Sequence, residues 1–313
     1  MKRFIKNIAI FSGVLLLILA AVIAFDFFIV GNQYTHAYSA AILDKVERLQ
    51  SIEEPKIILV GNSNLSFGVD SAKIEEAIGM PVVNLGLHGG LGHAFHEEMA
   101  KLGISGGDIV IVCHTDYANN AISDPVLACT TLEKNWQLWD IARAEDLGTI
   151  LRGYPRYFLN AVKNWLFRKD TPIPDNCYSR TAFNAYGDIV LRPNQETVQT
   201  VFFEGSTQIP AMGEACIARM NAFHTYVQEK GATMLVSFYP VAKGEYSPPE
   251  EEYRAFQAEL ENALDCQIIS DICDYFIPYE YFYDTVYHLD DEGVAIRTEQ
   301  LIRDLQAWMD EGT

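Results

Sequence analysis

The chain has 313 residues, of which 49% are hydrophobic, and its formal net charge is −19. A chain of this length can bury the core of one large domain and still carry an appendage. The negative charge argues against nucleic acid as a partner, because phosphate binding needs a basic surface. The same negative charge argues against a broad protein surface that binds anionic membranes.

The amino terminus predicts a membrane anchor. Three basic residues lie among the first six, and an apolar stretch follows over residues 8–30, interrupted by the single charge of Asp26. This stretch can cross a bilayer core of roughly 30 Å at about 1.5 Å per residue. No lysine or arginine lies from 31 to 43, which predicts a cytoplasmic amino terminus and an exported remainder. A cleaved signal peptide is the alternative, since residues 22–24 resemble a cleavage site, but the long apolar core favours an anchor.

Residues 31–55 are predicted to form a polar connector, helical from 37 to 49, and residues 56–313 one α/β domain. Strands and helices alternate after residue 56, which is typical of a parallel sheet with helices on both faces. The predicted fold class is therefore a flavodoxin-like, three-layer α/β/α arrangement. The predicted strands cover residues 56–60, 82–87, 108–113, 233–239 and 267–270, and the predicted helices cover 71–78, 92–102, 212–227, 253–264 and 294–308.

The alternation fails between residue 117 and about residue 210. Segments 132–140 and 157–167 have helical patterns, and residues 189–191 resemble a short strand. We therefore predict a mostly helical insertion within the domain. Its many aromatic residues fit internal packing, and the alternative is a surface that leans on the membrane or on a polymer.

The first candidate catalytic residue follows the first predicted strand. The apolar run 57–60 ends at Gly61, and Ser63 lies in a sharp turn before a helix that begins near Ser71. The α/β hydrolases expose a nucleophilic hydroxyl at a strand-to-helix turn of this kind. The alternative for Ser63, taken alone, is a polar turn residue that caps the next helix.

Two further candidates, Asp284 and His288, lie just before the last predicted helix. A hydroxyl, an imidazole and a carboxylate are the components of a nucleophilic triad. Taken alone, His288 could simply precede a helix that Asp290 caps. Together with Ser63, the two residues predict hydrolase chemistry.

A group of polar residues near the second and third predicted strands could be interpreted as metal ligands, namely His88, His93, His96, Glu97 and His114. No zinc-hydrolase motif is matched, and we predict neither a metal nor a cofactor.

The six cysteines follow no metal-ligand spacing. Export would permit disulfides, and Cys266 with Cys273 is the closest pair in sequence. Cys113 and Cys216 are predicted to be free and buried, because the first lies in a core strand and the second on a helix.

With these residues in place, the chain resembles the SGNH (GDSL-type) hydrolase superfamily, and within it the membrane-anchored bacterial branch related to the DltD and alginate-acetylation proteins. The resemblance covers about residues 55–115 and 210–305. The first block, Gly61-Asn62-Ser63-Asn64, stands where the family has Gly-Asp-Ser, and residues 84–89 are similar to the family's strand-to-glycine block. The last block places His288 before Leu289 and Gly293.

The resemblance implies that Ser63 is the nucleophile, that His288 is the base and that Gly89 offers its backbone N–H to an oxyanion. Two departures follow. Asp116 stands where the family has an asparagine that donates to the oxyanion, and an ionised carboxylate cannot donate. The donors expected to substitute are Tyr117, Asn119 or the backbone N–H of Ser63.

The second departure concerns spacing, because Asp284 lies four residues before His288 rather than three. A turn can absorb the extra residue. The resemblance further implies an esterase or O-acyltransferase in the cell membrane, with an acylated cell-envelope polysaccharide or teichoic-acid-like polymer as substrate and a membrane-bound acyltransferase as partner. The alternative is a non-catalytic binding or scaffold protein that retains the fold and has lost its oxyanion hole at Asp116.

Overall fold

The computed structural model of the chain describes residues 1–118, 121–167, 176–192, 208–244 and 247–311. It begins with helix α1, Lys2–Phe25, which continues into a π-helical turn, Asp26–Val30. No side chain of α1 is buried, and the whole segment Lys2–Val30 is long and apolar enough to cross a membrane. This agrees with the predicted apolar segment over residues 8–30.

The rest of the chain forms an α/β domain of short strands and longer helices. In chain order they are α2 (Ile42–Ser51), β1 (Ile57–Gly61), α3 (Ser63–Ser66), α4 (Ser71–Ile78), β2 (Val82–Asn84), α5 (His93–Lys101), β3 (Ile109–Cys113), α6 (Pro125–Leu132), α7 (Leu147–Phe167), α8 (Glu214–Glu229), β4 (Thr233–Val236), β5 (Val241–Lys243), α9 (Glu250–Ala263), β6 (Gln267–Ile268), β7 (Phe276–Pro278) and α10 (Asp291–Glu311).

Five of the strands form one sheet in the order β2-β1-β3-β4-β6, and every neighbouring pair is parallel. β1 and β3 lie at its centre, with Ile57 opposite Ile109 and Gly61 opposite Cys113. The carboxyl ends of β1 and β3 therefore lie side by side, at the edge where ligands bind in open α/β sheets. The predicted α/β class with a parallel sheet is confirmed.

Alternate residues of the central strand belong to two separate hydrophobic clusters. Ile58 and Val60 pack with residues of α2, α5 and α8, whereas Ile57 and Leu59 pack with residues of α4 and α10. Successive side chains of a strand point to opposite faces of its sheet. A strand that is apolar at every position, as β1 is, therefore needs apolar partners on both faces.

Several predicted boundaries differ in the structure. β2 ends at Asn84 rather than at residue 87, because the Asn84 side chain accepts a hydrogen bond from Gly86 N (2.8 Å) and donates to Leu65 O (3.0 Å). These bonds turn the chain out of the strand. Likewise β4 ends at Val236, and the chain forms the separate strand β5 after it.

Strand β5 pairs in parallel with β7 in a second, two-stranded sheet that the sequence analysis did not predict. Both strands are three residues long, too short to show a periodicity. Ile189 is also not part of a strand, since it makes only an isolated bridge with Phe183. The predicted helix over 132–140 is instead the end of α6 followed by a 3₁₀ segment, Trp136–Ile141.

The predicted connector contributes to the core. A 3₁₀ turn, Tyr38–Ala41, leads into α2, and Ile42 and Leu49 are fully buried. All six cysteines are free, and all but the half-buried Cys273 are buried. The expectation for Cys113 and Cys216 is therefore confirmed.

The described parts of the insertion are mostly helical. α6 and α7 cross closely at Gly153, where a Cβ atom would lie 2.3 Å from the carbonyl oxygen of Pro125. Residues 176–192 then return across the sheet edge at which β1 and β3 end, and they include a 3₁₀ turn, Arg180–Ala182. This return brings Tyr178 of the insertion to Asp284 and His288.

Candidate active site

The turn that presents Ser63 is fixed on both sides. β1 ends at Gly61, where a Cβ atom would lie 2.7 Å from Cys113 O, so a larger residue would push β1 and β3 apart. Asn62 then caps α3, accepting at Oδ1 from the backbone N–H (2.9 Å) and the side-chain amide (2.8 Å) of Asn64. Ser63 is the first residue of α3 and is half-buried, with its hydroxyl at the carboxyl end of the sheet.

A buried arginine on the last helix holds this turn from behind. Arg297 of α10 donates to Asn64 O (2.6 Å), Asn64 Oδ1 (2.9 Å) and Phe238 O (3.2 Å). Its guanidinium passes so close to Gly68 that a Cβ atom there would lie 2.4 Å from Nη1. Burial lowers the pKa of Arg297. The planar fork of a guanidinium fixes the geometry of the groups it binds, so Arg297 is a positioning residue for the turn.

The structure brings Ser63, His288 and Asp284 together in one hydrogen-bonded chain. His288 Nε2 lies 2.8 Å from Ser63 Oγ, and His288 Nδ1 lies 2.7 Å from Asp284 Oδ1. A carboxylate only accepts hydrogen bonds, so the imidazole hydrogen lies on Nδ1. The lone pair of Nε2 then faces the Ser63 hydroxyl, which is the arrangement a general base needs.

The four-residue spacing between Asp284 and His288 is absorbed by a turn. Phe282 and Leu289 form an antiparallel bridge, and Tyr283 N donates to His288 O (2.8 Å). The chain therefore doubles back between the two residues, and the carboxylate reaches the imidazole despite the extra residue.

A tyrosine of the insertion also contacts the carboxylate. The Tyr178 hydroxyl donates to Asp284 Oδ2 and lies 3.4 Å from His288 Nδ1. Burial alone would raise the pKa of Asp284, but the hydrogen bond and charge of His288, together with the Tyr178 hydrogen bond, lower it below its ordinary value. The carboxyl group is therefore ionised at neutral pH and keeps the imidazole in one orientation.

The imidazole also rests on an aromatic side chain. The rings of Phe67 and His288 are stacked, with centroids 4.0 Å apart and planes inclined by 10°. Neither Phe67 nor Tyr178 is among the residues predicted from the sequence. Phe67 lies four residues after Ser63, which is about one helical turn. This spacing is the sequence signal that could have identified it. Tyr178 carries no such signal, because its partner Asp284 lies 106 residues away.

Gly89 lies close to the nucleophile turn. It begins a 3₁₀ turn, Gly89–Leu91, whose next N–H, that of Gly90, donates to His88 Nδ1 (2.9 Å). A Cβ atom on Gly89 would lie 3.5 Å from Asn62 Nδ2. The backbone of Gly89 and the side-chain amide of Asn62, the residue before Ser63, are therefore neighbours.

The run after β3 differs from the expected oxyanion hole. Asp116 Oδ2 lies 3.2 Å from His93 Nε2, and Asp116 Oδ1 accepts from Ala118 N (3.0 Å). The residue before it, Thr115, accepts at Oγ1 from Asn62 Nδ2 (2.8 Å). Asp116 is therefore tied to His93, and Thr115 is the member of this run that contacts the nucleophile turn.

Of the two other expected donors, the described structure contains Tyr117. Tyr117 is fully buried, and its ring contacts those of Phe256 (centroids 5.8 Å apart) and His114 (6.4 Å) in the hydrophobic core. Its position in the core gives no support to a role in the oxyanion hole. Asn119 lies outside the described residues.

Three of the four histidines considered as metal ligands, His93, His96 and His114, are buried, whereas His88 is exposed. The rings of His93 and His114 stack 4.1 Å apart, and His114 Nε2 lies 2.9 Å from Glu97 Oε1. Burial lowers the pKa of His93 to about 4 and that of His114 to about 3, so both rings are neutral. Within the part of the chain that the structure describes, no group of three His, Cys, Asp or Glu side chains is arranged to hold a metal ion.

A cavity of about 340 Å³ lies next to the site. Its lining includes Thr115, Asp116, Tyr239 and Tyr287. Thr115 contacts Asn62, and Tyr287 precedes His288 in the chain, so the cavity lies near the turn that carries Ser63. It offers space for part of a substrate, with aromatic rings and one carboxylate on its walls.

Comparison with models of protein families, with curated proteins and with solved structures finds no match to this chain.

Proposed function

We propose that the chain is a membrane-anchored serine esterase or O-acyltransferase that acts, outside the cytoplasm, on acyl esters of cell-envelope polysaccharide. The observation that carries the proposal is the hydrogen-bonded chain from Ser63 through His288 to Asp284. Nucleophile, base and orienting carboxylate each have the partner that acyl transfer requires. The resemblance of residues 61–64, 84–89 and 288–293 to the SGNH superfamily supplies the substrate class.

In the acylation step, His288 Nε2 accepts the hydroxyl proton of Ser63 while Oγ forms a bond to the acyl carbon. The carbonyl oxygen becomes an oxyanion, and its collapse breaks the bond to the leaving alcohol, which takes the proton back from His288. In the second step His288 deprotonates water or a glycan hydroxyl, which attacks the carbonyl carbon of the acyl-Ser63. The bond between the acyl carbon and Oγ then breaks, and Ser63 Oγ takes the proton back from His288. Water gives hydrolysis, and a glycan hydroxyl gives transfer.

The oxyanion needs donors, and Asp116 supplies none. The backbone N–H groups of Ser63 and Gly89 are two candidates, since each begins a helical turn and lacks an intrahelical acceptor. We propose the side-chain amide of Asn62 as the third. Because Asn62 Oδ1 accepts from the Asn64 N–H, Nδ2 is fixed toward Thr115 and Gly89. One of its two hydrogens bonds Thr115, and the other is available.

We further propose the three-layer, flavodoxin-like arrangement and the membership of the SGNH superfamily, in the branch related to the DltD and alginate-acetylation proteins. The strand order and the two hydrophobic clusters, one involving α2, α5 and α8 and the other α4 and α10, support the first. The basic residues before the apolar segment support a cytoplasmic amino terminus and an exported domain. A membrane-bound acyltransferase would then supply acyl groups to Ser63 or receive them from it.

A fluorophosphonate probe tests chemistry and location together. Ser63 Oγ attacks its phosphorus and displaces fluoride, which leaves a stable adduct only when the serine is activated. We expect a membrane-impermeant probe to label the chain in intact cells, and a permeant probe to label it in lysed cells. Ser63→Ala and His288→Ala should each abolish labelling without changing the melting temperature appreciably, whereas Ser51→Ala, at an exposed serine of α2, should label fully.

The outcomes separate the two parts of the proposal. Labelling in lysed cells alone would contradict the exported location and leave the hydrolase in place. Absence of labelling in both preparations would favour the non-catalytic binding or scaffold protein. Labelling that persists at pH 7 in His288→Ala would exclude His288 as the base.

A further inference from the structure

The insertion carries an apolar stripe that the domain leaves uncovered. Leu151, Leu159 and Leu166 of α7 are 69%, 67% and 59% exposed. At about 100° per residue, these three side chains fall within about 80° of one another around the helix axis. Pro155, also exposed, lies between them on the same arc. Singly exposed leucines are ordinary, but a stripe along four turns of one helix is not.

Basic residues flank this stripe. Arg152, Arg156 and Lys163 are exposed and lie about 100–140° from Leu151 around the axis, along one edge of the apolar arc. α7 contains no acidic residue, although the chain as a whole has 42 acidic and 23 basic residues. A helix with an apolar face bordered by lysine and arginine is typical of segments that lie in the boundary of anionic membranes.

The same helix is fastened to the end of the anchor. Asp26 is 4% exposed and accepts hydrogen bonds from Tyr154 of α7 (3.0 Å) and from Lys134 (3.1 Å). Phe25 contacts Trp165 of α7 edge to face, with ring centroids 5.7 Å apart. Tyr154 and Trp165 lie three turns apart along α7, so this helix crosses the end of the anchor between them.

Aromatic and apolar side chains surround the crossing. Trp136 is 65% exposed and its ring lies 5.5 Å from that of Phe27. Phe28 and Ile29, after the Asp26 contact, are 77% and 54% exposed. Tryptophan is enriched at the level of lipid headgroups, so Trp136 and Trp165 fit the outer boundary of a bilayer that α1 crosses.

We propose that α7 lies in the headgroup boundary of the membrane that α1 spans, with its leucine stripe toward the acyl chains and its basic edge toward anionic headgroups. The proposal rests on the membrane anchoring of α1 and does not depend on the esterase chemistry. A bilayer is the occupant that the structure favours, because the stripe is continuous with the anchor. The net positive charge of α7 is also opposite in sign to the negative net charge of the whole chain. The contact would hold the candidate active site at a fixed height above the lipid surface.

The test uses the full chain in nanodiscs of phosphatidylcholine and phosphatidylglycerol in equal parts. Cys273, the one cysteine that is not fully buried, is replaced by Ser, and a spin label is attached at Leu159→Cys. Lipid-soluble oxygen and a water-soluble nickel chelate then report the environment of the label. Leu16→Cys in α1 serves as the lipid reference, and Ile296→Cys, 40% exposed on α10, as the aqueous reference.

We expect the ratio of oxygen to nickel accessibility at Leu159→Cys to exceed that at Ile296→Cys several-fold and to approach that of Leu16→Cys. The ratio at Leu159→Cys should be lower in nanodiscs of phosphatidylcholine alone, because the basic residues of α7 then have no anionic headgroups to attract them. A value at 159 equal to that at 296 would overturn the proposal, since no partner protein is present to compete for the surface. A Leu16→Cys label in water would overturn the anchoring as well, while probe labelling of Ser63 would remain unaffected.

Discussion

Two sets of groups surround Ser63, the acid–base residues and the expected oxyanion donors. They differ in how far the structure agrees with what the resemblance to the SGNH superfamily predicts. On the acid–base side, His288 and Asp284 arrive from a segment more than 200 residues further along the chain and both make the expected hydrogen bonds. On the oxyanion side, the residue in the asparagine position, Asp116, is bound to His93, and Thr115 instead contacts the nucleophile turn.

The difference shows that proton transfer and charge stabilisation can be assembled from separate parts of one site. Under the proposed function, proton transfer needs three particular groups within hydrogen-bond distance of one another, so it depends on the side chains at these three positions. An oxyanion needs only hydrogen-bond donors of suitable direction, which backbone N–H groups or a nearby amide can supply. The contact between Asp116 Oδ2 and the neutral His93 ring (3.2 Å) also engages one of the two oxygens of this carboxylate away from Ser63.

The acid–base side is tested most strongly by Asp284→Asn. The amide keeps the size of the carboxylate, but its NH₂ group can donate to Nδ1 and stabilise the tautomer with hydrogen on Nε2. His288 could then no longer accept the Ser63 proton, and we expect kcat for ester hydrolysis to fall by about 10⁴, as when the same change is made in a serine-protease triad. The measurement is steady-state hydrolysis of an acyl ester by the purified chain.

Glu250→Gln is the matched control, because this carboxylate is exposed and pairs with the exposed Lys243 at the surface. Its kcat should remain within about twofold of wild type, since exposed pairs contribute little. If Asp284→Asn retained full activity, the hydrogen bond between Asp284 and His288 would have only a structural role.

The oxyanion side is tested by the pair Asn62→Asp and Asp116→Asn. An aspartate at 62 can still accept from the Asn64 N–H, and the Thr115 hydroxyl can reverse and donate to it. The fold should therefore persist, while one donor to the oxyanion is lost. We expect kcat to fall by about 10²–10³, the usual effect of removing one such donor. Asp116→Asn should change kcat by less than about tenfold, because this carboxylate faces His93.

Opposite results would reassign the donors. A loss of a hundredfold or more in Asp116→Asn, at unchanged melting temperature, would show that the carboxylate itself takes part in the reaction. Full activity in Asn62→Asp would show that the Ser63 and Gly89 N–H groups suffice. KM should stay nearly constant in both variants if the donors act mainly in the transition state.

The residues that sequence could identify share a local signal. Ser63 follows an apolar strand that ends in glycine, and His288 precedes an amphipathic helix, so position relative to a predicted element was enough to select them. The spacing of Asp284 could not be resolved in advance, because it depends on how the turn between Phe282 and Leu289 folds back.

The residues that sequence could not identify act through distant partners. In the sequence, Arg297 is one of several charged residues on a predicted helix. In the structure its side chain is buried and donates hydrogen bonds to two oxygen atoms of Asn64, which lies 233 residues earlier in the chain. The pair β5 and β7 is set by contacts between two three-residue segments. In both cases the local sequence has little structural preference of its own. Tertiary packing determines where Arg297 lies and that β5 and β7 pair.

The smallest expected effect, and the sharpest test of how the insertion serves the acid–base side, comes from Tyr178→Phe. This change removes one hydrogen bond to Asp284 and leaves the bond between Asp284 and His288 in place. We expect kcat to fall less than about tenfold, the range of a single net hydrogen bond. A similar loss in Tyr186→Phe, whose hydroxyl contacts Glu75 on another part of the surface, would show that the effect is not specific to the site.

The pH dependence of stability gives this variant a second measurement. Burial raises the pKa of Asp284, but the bonds to His288 and Tyr178 lower it overall. A lowered folded pKa contributes stability that is present above the unfolded value of about 3.9 and is lost as the pH falls through the folded value. Without the Tyr178 bond the folded pKa should rise, so the gain in free energy of unfolding between pH 2.5 and pH 6 should be smaller than in wild type. Urea unfolding at the two pH values measures this gain.

The control is the same Tyr178→Phe change in an Asp284→Asn background. There it should leave the gain in free energy of unfolding between pH 2.5 and pH 6 unaltered, because the titrating group is gone. A persistent difference there would assign the effect to another carboxyl group.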